Sequence, residues 1–371
     1  MAKFDAVFEG GGAKGIAFVG ALEALQQHGH TLRRYIGTSA GAITATLLAA
    51  KYTCEEMMQA INERLPDGKP RFSSFMDIPD GDDFSPHVRD NSTIMMALKE
   101  VNLPWVPDAF ERNIDTKLLD TLLKNSIFAR LFSFTECGGY YSGHTFLAWI
   151  REKLAAKGIG PTDTLATFAE KTGSDLSVVA SDTTDMEMLV LNHRTAPNVP
   201  VANAVRMSMS IPFVWQEVMW QPEWGTYLGR EKAGNAVVDG GMLSNFPIRL
   251  IATTDEEIRA IMGDTDPNEA GNLGLLIDET IPVPGAADTA KTPLPVTRLR
   301  TVQRLSRLVD TMMGSADGDG IRRFPSVICR LPAKGYGTLE FGMEGERLEA
   351  FISAARAAME AHLGKAAGAG V

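Results

Sequence analysis

Three short stretches of the sequence carry residue types whose spacing could do chemistry. The first is Gly37-Thr-Ser-Ala-Gly41, a G-x-S-x-G pattern between a strand-like run, Arg34 to Thr38, and an alanine-rich helical run, Gly41 to Lys51. On a sharp strand-to-helix turn a serine hydroxyl is pushed outward, and flanking glycines relieve crowding around the strained backbone. The competing role for Ser39 is to cap an ordinary helix, a common task for serine. The second stretch is Glu9-Gly-Gly-Gly-Ala-Lys-Gly15, which satisfies G-x-G-x-x-G at Gly10, Gly12 and Gly15. A dinucleotide site of that pattern wants an acidic residue at the end of the second strand, and here that strand runs into Ser39. A phosphate loop fails as well, because Lys14 is followed by Gly15 rather than by Ser or Thr. What survives is general: glycine N–H groups at a helix start hold negative charge, a phosphate or an oxyanion. The third stretch, Asp239-Gly-Gly241, would by itself be read as a turn. It follows the strand-like Ala236-Val-Val238, which puts Asp239 at a strand's C-terminal end, where open α/β sheets gather their site residues.

A serine hydroxyl is a weak nucleophile at neutral pH and needs a base within hydrogen-bond reach. A hydrolase triad in the order Ser, Asp, His needs a histidine after Asp239, and the only one is His362, in an alanine-rich terminal run. His28 and His30 flank a helix stop at Gly29, His87 lies near an acidic segment, His144 opens a helical run, and His193 sits in a polar turn. None is well placed for a base. A Ser39–Asp239 dyad fits better.

The elements that must position these groups alternate. Phe4 to Glu9 is a short apolar strand ended by glycines, Ile16 to His28 has helical spacing, and a second strand leads into Ser39. Strands alternating with helices indicate a parallel sheet covered on both faces. Further strands are expected at Leu176–Ala180, Met188–Leu191, Ala236–Val238, Leu273–Ile277 and Ser326–Leu331, and helices over Val296 to Met313 and Gly345 to His362. The whole of 1–363 reads as one domain, with 364–371 a flexible tail. Residues 66–136 read as a variable cap or lid, with an exposed acidic loop at Asp77 to Asp83.

Composition narrows the partners. In 371 residues, 44% are hydrophobic and 22% charged, enough apolar material for a core without metals or disulfides. A net charge of −10 argues against nucleic acid, whose binders carry basic patches, and leaves apolar contact as the attraction to any lipid surface. Cys54, Cys137 and Cys329 form no metal-binding spacing and read as reduced thiols. The N-terminus runs at once into a strand and nowhere do eighteen apolar residues run together, so a cytoplasmic protein, free or peripheral to a membrane, is expected, with export that reads no cleavable signal left open.

Taken in order, Gly10-Gly-Gly-Ala-Lys-Gly15, Gly37-Thr-Ser-Ala-Gly41 and Asp239-Gly-Gly241 resemble the patatin-like phospholipases. Gly139-Tyr-Tyr-Ser-Gly143, Ala204-Val-Arg-Met-Ser-Met-Ser-Ile-Pro212 and Asn245-Phe-Pro247 agree, and the resemblance runs from about residue 4 to 363. It implies a three-layer α/β/α fold with a mostly parallel central sheet, and hydrolysis of acyl esters in phospholipids or related lipids. It implies Ser39 as nucleophile, Asp239 as general base, and an oxyanion hole in the turn Gly10, Gly11, Gly12, Ala13, Lys14 and Gly15, with Gly37, Gly41, Gly240 and Gly241 supporting the motifs. No metal and no cofactor is implied, and no calcium loop is present. Met207, Met209, Ile211, Phe213, Trp215, Met219 and Trp220 are candidates for an acyl groove, and Trp105, Phe110, Phe128, Phe132 and Phe134 for lipid contact, with plain core packing the open alternative for both sets. A non-phospholipid esterase or acyltransferase, an effector woken by a partner or second messenger, and a nucleotide-binding module stay open as alternatives.

Overall fold

Val7, Ile36 and Val179 belong to one hydrophobic core and their neighbours Ala6, Phe8 and Ala180 to another. Successive residues of a strand point to opposite faces, so two cores fed by alternate residues mean a sheet buried on both sides. That is why Ala6-Val-Phe8 is apolar without interruption. The computed structural model describes residues 1–100, 112–253, 255–264, 268–285, 311 and 317–368. Its strands are β1 (Lys3–Phe8), β2 (Thr31–Thr38), β3 (Gly139–Tyr141), β4 (Asp175–Asp182), β5 (Glu187–Leu191), β6 (Phe213–Trp215), β7 (Val218–Met219), β8 (Ala236–Asp239), β9 (Gly271–Pro282) and β10 (Ile328–Lys334).

The main sheet runs β10-β9-β1-β2-β4-β8-β7, with β5 also paired to β4. From β10 to β4 every pairing is parallel, whereas β5, β8 and β7 pair antiparallel. The fold is therefore the expected mixed α/β arrangement with a mostly parallel centre. On the larger core lie α1 (Ala17–Gln27), α2 (Ala40–Ala49), α3 (Cys54–Ile61) and the helix His144–Ala155; on the smaller lie Phe246, Ile248, Leu250 and Met262. The terminal helix Gly345–Gly368 packs along α1. It continues six residues beyond the expected end at His362, since Leu363, Lys365, Ala366 and Ala367 are strong helix formers. The expected helix over Val296 to Met313 falls, apart from Thr311, outside the described residues.

Among the described residues of 66–136 lie the helices Pro86–Asp90, Thr93–Glu100, Arg112–Leu123 and Ser126–Glu136, with a small core of their own. Two expectations need correction there. Phe132 does not face lipid: it is fully buried, edge-on to Phe84 at 4.9 Å between ring centres. Phe128 packs against the same core and Phe134 lies 5.9 Å from Phe213, while Trp105 and Phe110 fall outside the described residues. Asp77 is no free loop acid either. Its carboxylate accepts from Ser142 Oγ and from the Gly143 and Thr145 N–H groups, fastening the start of the helix His144–Ala155. Among the described residues no helix is long and apolar enough to cross a membrane.

Candidate active site

The site is made where two strands meet. Val178 and Val179 of β4 pair with both β2 and β5, while Ala180 pairs with both β5 and β8. Since β5 holds one edge of β4, β2 and β8 must share the other, running towards each other. Thr38 pairs with Val179 and Asp239 with the next residue, Ala180. The residue after β2, Ser39, and the last residue of β8, Asp239, are thereby delivered to one place.

Ser39 sits on a strained elbow, φ 54° and ψ −121°, between β2 and α2. A side chain at Gly41 would put Cβ 2.1 Å from the Phe8 carbonyl oxygen, and one at Gly37 would put it 2.2 Å from that of Gly41, so the turn closes only with glycine at both positions. The Ser39 N–H donates to Ser208 Oγ (2.8 Å), whose hydroxyl donates to the Val179 carbonyl (2.5 Å). The elbow is thus tied to β4, and the bond that would mark a simple helix cap is absent.

Asp239 is completely buried. Its N–H donates to the Ser210 carbonyl (2.9 Å), its Oδ1 accepts from the Gly241 N–H (2.8 Å), and Oδ2 is buried with no aligned partner among the described residues. Burial pushes its pKa up to about 7, while the Ser39 hydroxyl and the Gly241 N–H oppose the rise. A carboxyl so poised exchanges a proton near neutral pH with little driving force lost in either direction. Gly240 packs against the Val179 carbonyl, holding the turn flush on β4.

The glycine turn lies beside this pair as a short 3-10 helix, Gly12–Ile16, leading into α1. Its donors are unequal. The Gly10 N–H goes to the Asn245 carbonyl (2.9 Å), that of Ala13 to the Thr338 carbonyl (2.8 Å) and that of Lys14 to the Gly11 carbonyl (3.1 Å). Among the described residues Gly11 and Gly12 are left with N–H groups that meet no protein acceptor, and Gly12 stands at φ 55°. Lys14 is not a surface lysine: it is buried and ion-paired with Glu279. From Ser39 an apolar pocket of about 740 Å³, its open mouth included, extends between α2, α3 and the helix His144–Ala155, with Ile43, Met57, Phe75, Trp149 and Phe341 on its walls.

Of the expected groove residues, Met209, Ile211 and Trp215 line this pocket. Met207 and Trp220 are core, Phe213 pairs within the small β3–β6 sheet, and Met219 is exposed. None of the six histidines lines it; His144 pairs with Asp83, far along the chain from the elbow. One carboxylate trio among the described residues, Asp182, Asp185 and Glu187, is close enough to hold a cation. It is built around the Lys232 ammonium, which donates to Asp182 (2.9 Å), Asp185 (2.5 Å) and Glu187. Sequence reasoning missed Glu9, Asp317, Thr338 and Phe341. Glu9 is half-buried, and desolvation pushes its pKa up to about 8, with Oε2 accepting from the Ile277 N–H (2.5 Å). Asp317 holds Ser244 Oγ (2.7 Å) and the Phe246 N–H (2.6 Å). No spacing links these residues to the motifs; only the glutamate preceding the glycines hinted at a role.

Fold and site together define a class: an α/β protein with an elbow serine beside a buried carboxylic acid, under a glycine turn. The family model described as patatin-like phospholipase matches residues 6–252, and the chain belongs to that family. It is 35% identical over 267 residues to the uncharacterized protein YqhO of Bacillus subtilis (strain 168), covering 70% of each chain. It is 23% identical over 244 residues to the probable lipid hydrolase 463L of Invertebrate iridescent virus 6, covering 66% of this chain and 61% of that one. Among solved structures, VipD from Legionella pneumophila is similar over 98% of this chain and 67% of its own, at 17% identity and a TM-score of 0.46.

Proposed function

We propose that the protein is a lipid acyl hydrolase, of phospholipase A or lysophospholipase type, that cleaves carboxylic esters through Ser39 and Asp239. Ionised Asp239 takes the Ser39 proton as Oγ attacks the ester carbonyl. The tetrahedral oxyanion faces the Gly11 and Gly12 N–H groups, donors of the turn that meet no acceptor among the described residues. Collapse returns the proton from Asp239 to the leaving alcohol and leaves an acyl group on Ser39. A water then attacks the acyl carbonyl and gives its proton to Asp239; collapse frees the acid and restores Ser39. Each well-aimed oxyanion donor is worth about 3 kcal/mol in such a step.

The observation that carries this reading is the juxtaposition of a strained elbow serine with a buried carboxyl whose pKa is pushed up to about 7. The apolar pocket leading from Ser39 supports an acyl chain as the group received. Contact with a lipid surface falls to Ile127 and Leu131, the exposed apolar side chains of the helix Ser126–Glu136. The test is labelling with a fluorophosphonate followed by peptide mapping, with chromatography of products from phospholipid, lysophospholipid and triglyceride. A label on Ser39 and release of free fatty acid support the proposal; modification elsewhere, or no acid from any of the three lipids, overturns it.

A further inference from the structure

Asn245 lies six residues after Asp239 and holds the glycine turn at one residue, Gly10, from both sides. Its backbone carbonyl accepts from the Gly10 N–H (2.9 Å), and its side-chain Nδ2 donates to the Gly10 carbonyl (3.1 Å) and to Glu9 Oε1 (3.2 Å). The Gly10 carbonyl belongs to the same planar peptide unit as the Gly11 N–H, and in a trans peptide the two point in opposite directions. A donor fixed on the Gly10 oxygen therefore fixes where the Gly11 N–H points. It also polarises that peptide, which strengthens the N–H as a donor.

The amide orientation is set by its neighbours. Turning it over would set Oδ1 against the Gly10 carbonyl, an acceptor facing an acceptor. As it stands, Oδ1 is buried with no hydrogen-bond partner among the described residues, a cost that the donations to Gly10 and Glu9 require. Oδ1 lies 2.2 Å, and Ser39 Cβ 3.2 Å, from the point a Gly10 Cβ would occupy, so this side chain fills the space between turn and elbow. Its own loop is anchored on both sides: Thr38 Oγ1 donates to the Ser244 carbonyl (3.1 Å), and Asp317 holds Ser244 and Phe246.

We infer that Asn245 is a positioning residue that aims the Gly11 N–H at the oxyanion by holding the Gly10–Gly11 peptide. The inference rests on the proposed acyl transfer to Ser39. Asn245→Asp keeps the shape and replaces the donor with an acceptor; Asn245→Ala removes both. With a soluble p-nitrophenyl ester, each should lower kcat about 30-fold or more and leave KM within about threefold, the signature of an interaction made in the transition state. Thermal melting and fluorophosphonate mapping accompany the kinetics. A variant melting like wild type with kcat within about threefold overturns the inference, as does a rise in KM at unchanged kcat. Should Asn245→Ala not fold, Asn245→Asp decides alone, and failure of both to fold shows a structural keystone instead and also overturns it. If the probe fails to mark Ser39 in the wild-type protein, the acyl-transfer proposal falls; if it marks Ser39 and the variants keep kcat, only the role of Asn245 falls.

Discussion

Thr38 and Asp239 pair with consecutive residues of β4, Val179 and Ala180, from strands that approach along the same edge. One backbone ladder thus sets the spacing between the proposed nucleophile, one residue past Thr38, and its proposed base. Ladder hydrogen bonds have a fixed repeat, so the dyad needs no long side chain to span a gap, and an aspartate is long enough. The Ser208 hydroxyl adds a second tie from the elbow to the same Val179 carbonyl.

The strain at Ser39 gives a prediction that separates function from stability. A non-glycine residue held at φ 54°, ψ −121° carries about 1–3 kcal/mol of backbone strain. Ser39→Ala and Ser39→Gly should both lose hydrolysis by about 10³-fold or more. Ser39→Gly should in addition be more stable than Ser39→Ala by about 1 kcal/mol in urea unfolding, because glycine relieves the strain. Equal stability of the two variants would mean that the elbow stores none.

Asp239 makes activity and stability respond to pH in opposite directions. With its pKa pushed up to about 7, the proposed base is lost as pH falls through that value, so kcat/KM should drop about tenfold per unit below it. For stability the sign is reversed. Because the folded pKa lies above the unfolded one, the folded state binds the extra proton. The contribution of this group is full below the unfolded value and lost as pH rises through about 7. Glu9, pushed up to about 8, acts in the same sense one unit higher. Asp239→Asn should therefore be inactive yet melt higher than wild type at pH 8.5, with little difference at pH 5. A lower melting temperature for Asp239→Asn at pH 8.5 would contradict the burial argument.

The two glycines proposed to face the oxyanion should differ in tolerance. A Cβ on Gly11 meets Ile277 Cδ1 at 2.5 Å, the movable end of a side chain. A Cβ on Gly12 meets the Thr338 carbonyl oxygen at 2.2 Å and must accept φ 55° as well. Gly12→Ala should lower kcat about 10²-fold, whereas Gly11→Ala should cost less than about tenfold. Steady-state kinetics on a soluble ester reads both, and the reverse order would mean that the Thr338 segment yields while Ile277 does not.

How far the site was legible in the sequence depended on whether a group announces itself locally. Gly37, Ser39 and Gly41 lie within five residues, because an elbow is a local object. The proposed dyad joins Ser39 to the distant Asp239, yet Asp239 was marked by its place at a strand's end. Thr338, which occupies the Ala13 N–H, and Phe341, which walls the pocket 5.9 Å from Trp215, come from a connection after β10 beyond the family match at 6–252. The pairing of β10 with β9 and the packing of the terminal helix on α1 bring them back. Phe132 was misread for a related reason. Apolar residues at helical spacing show that one face is covered, and Ile127, Phe128, Leu131 and Phe132 lie too close together in sequence to show which of them takes the covered face.

That division within one helix supplies the sharpest test of lipid contact. Ile127 is 64% exposed and Leu131 44%, one turn apart on the outer face of Ser126–Glu136, while Phe132 is fully buried on the inner face. Moving the exposed parts of Ile127 and Leu131 into a lipid interface would contribute about 1 kcal/mol each. Ile127→Ser with Leu131→Ser should thus weaken partitioning onto neutral phosphatidylcholine vesicles, and hydrolysis there, by about tenfold or more. Melting temperature and the rate on a short soluble ester should not change, since neither residue lines the pocket. Phe132→Ser should behave in the opposite way, losing about 3–5 kcal/mol of stability and falling on both substrates together. If the double variant at 127 and 131 retains full activity on vesicles, this helix is not the surface through which the protein meets lipid.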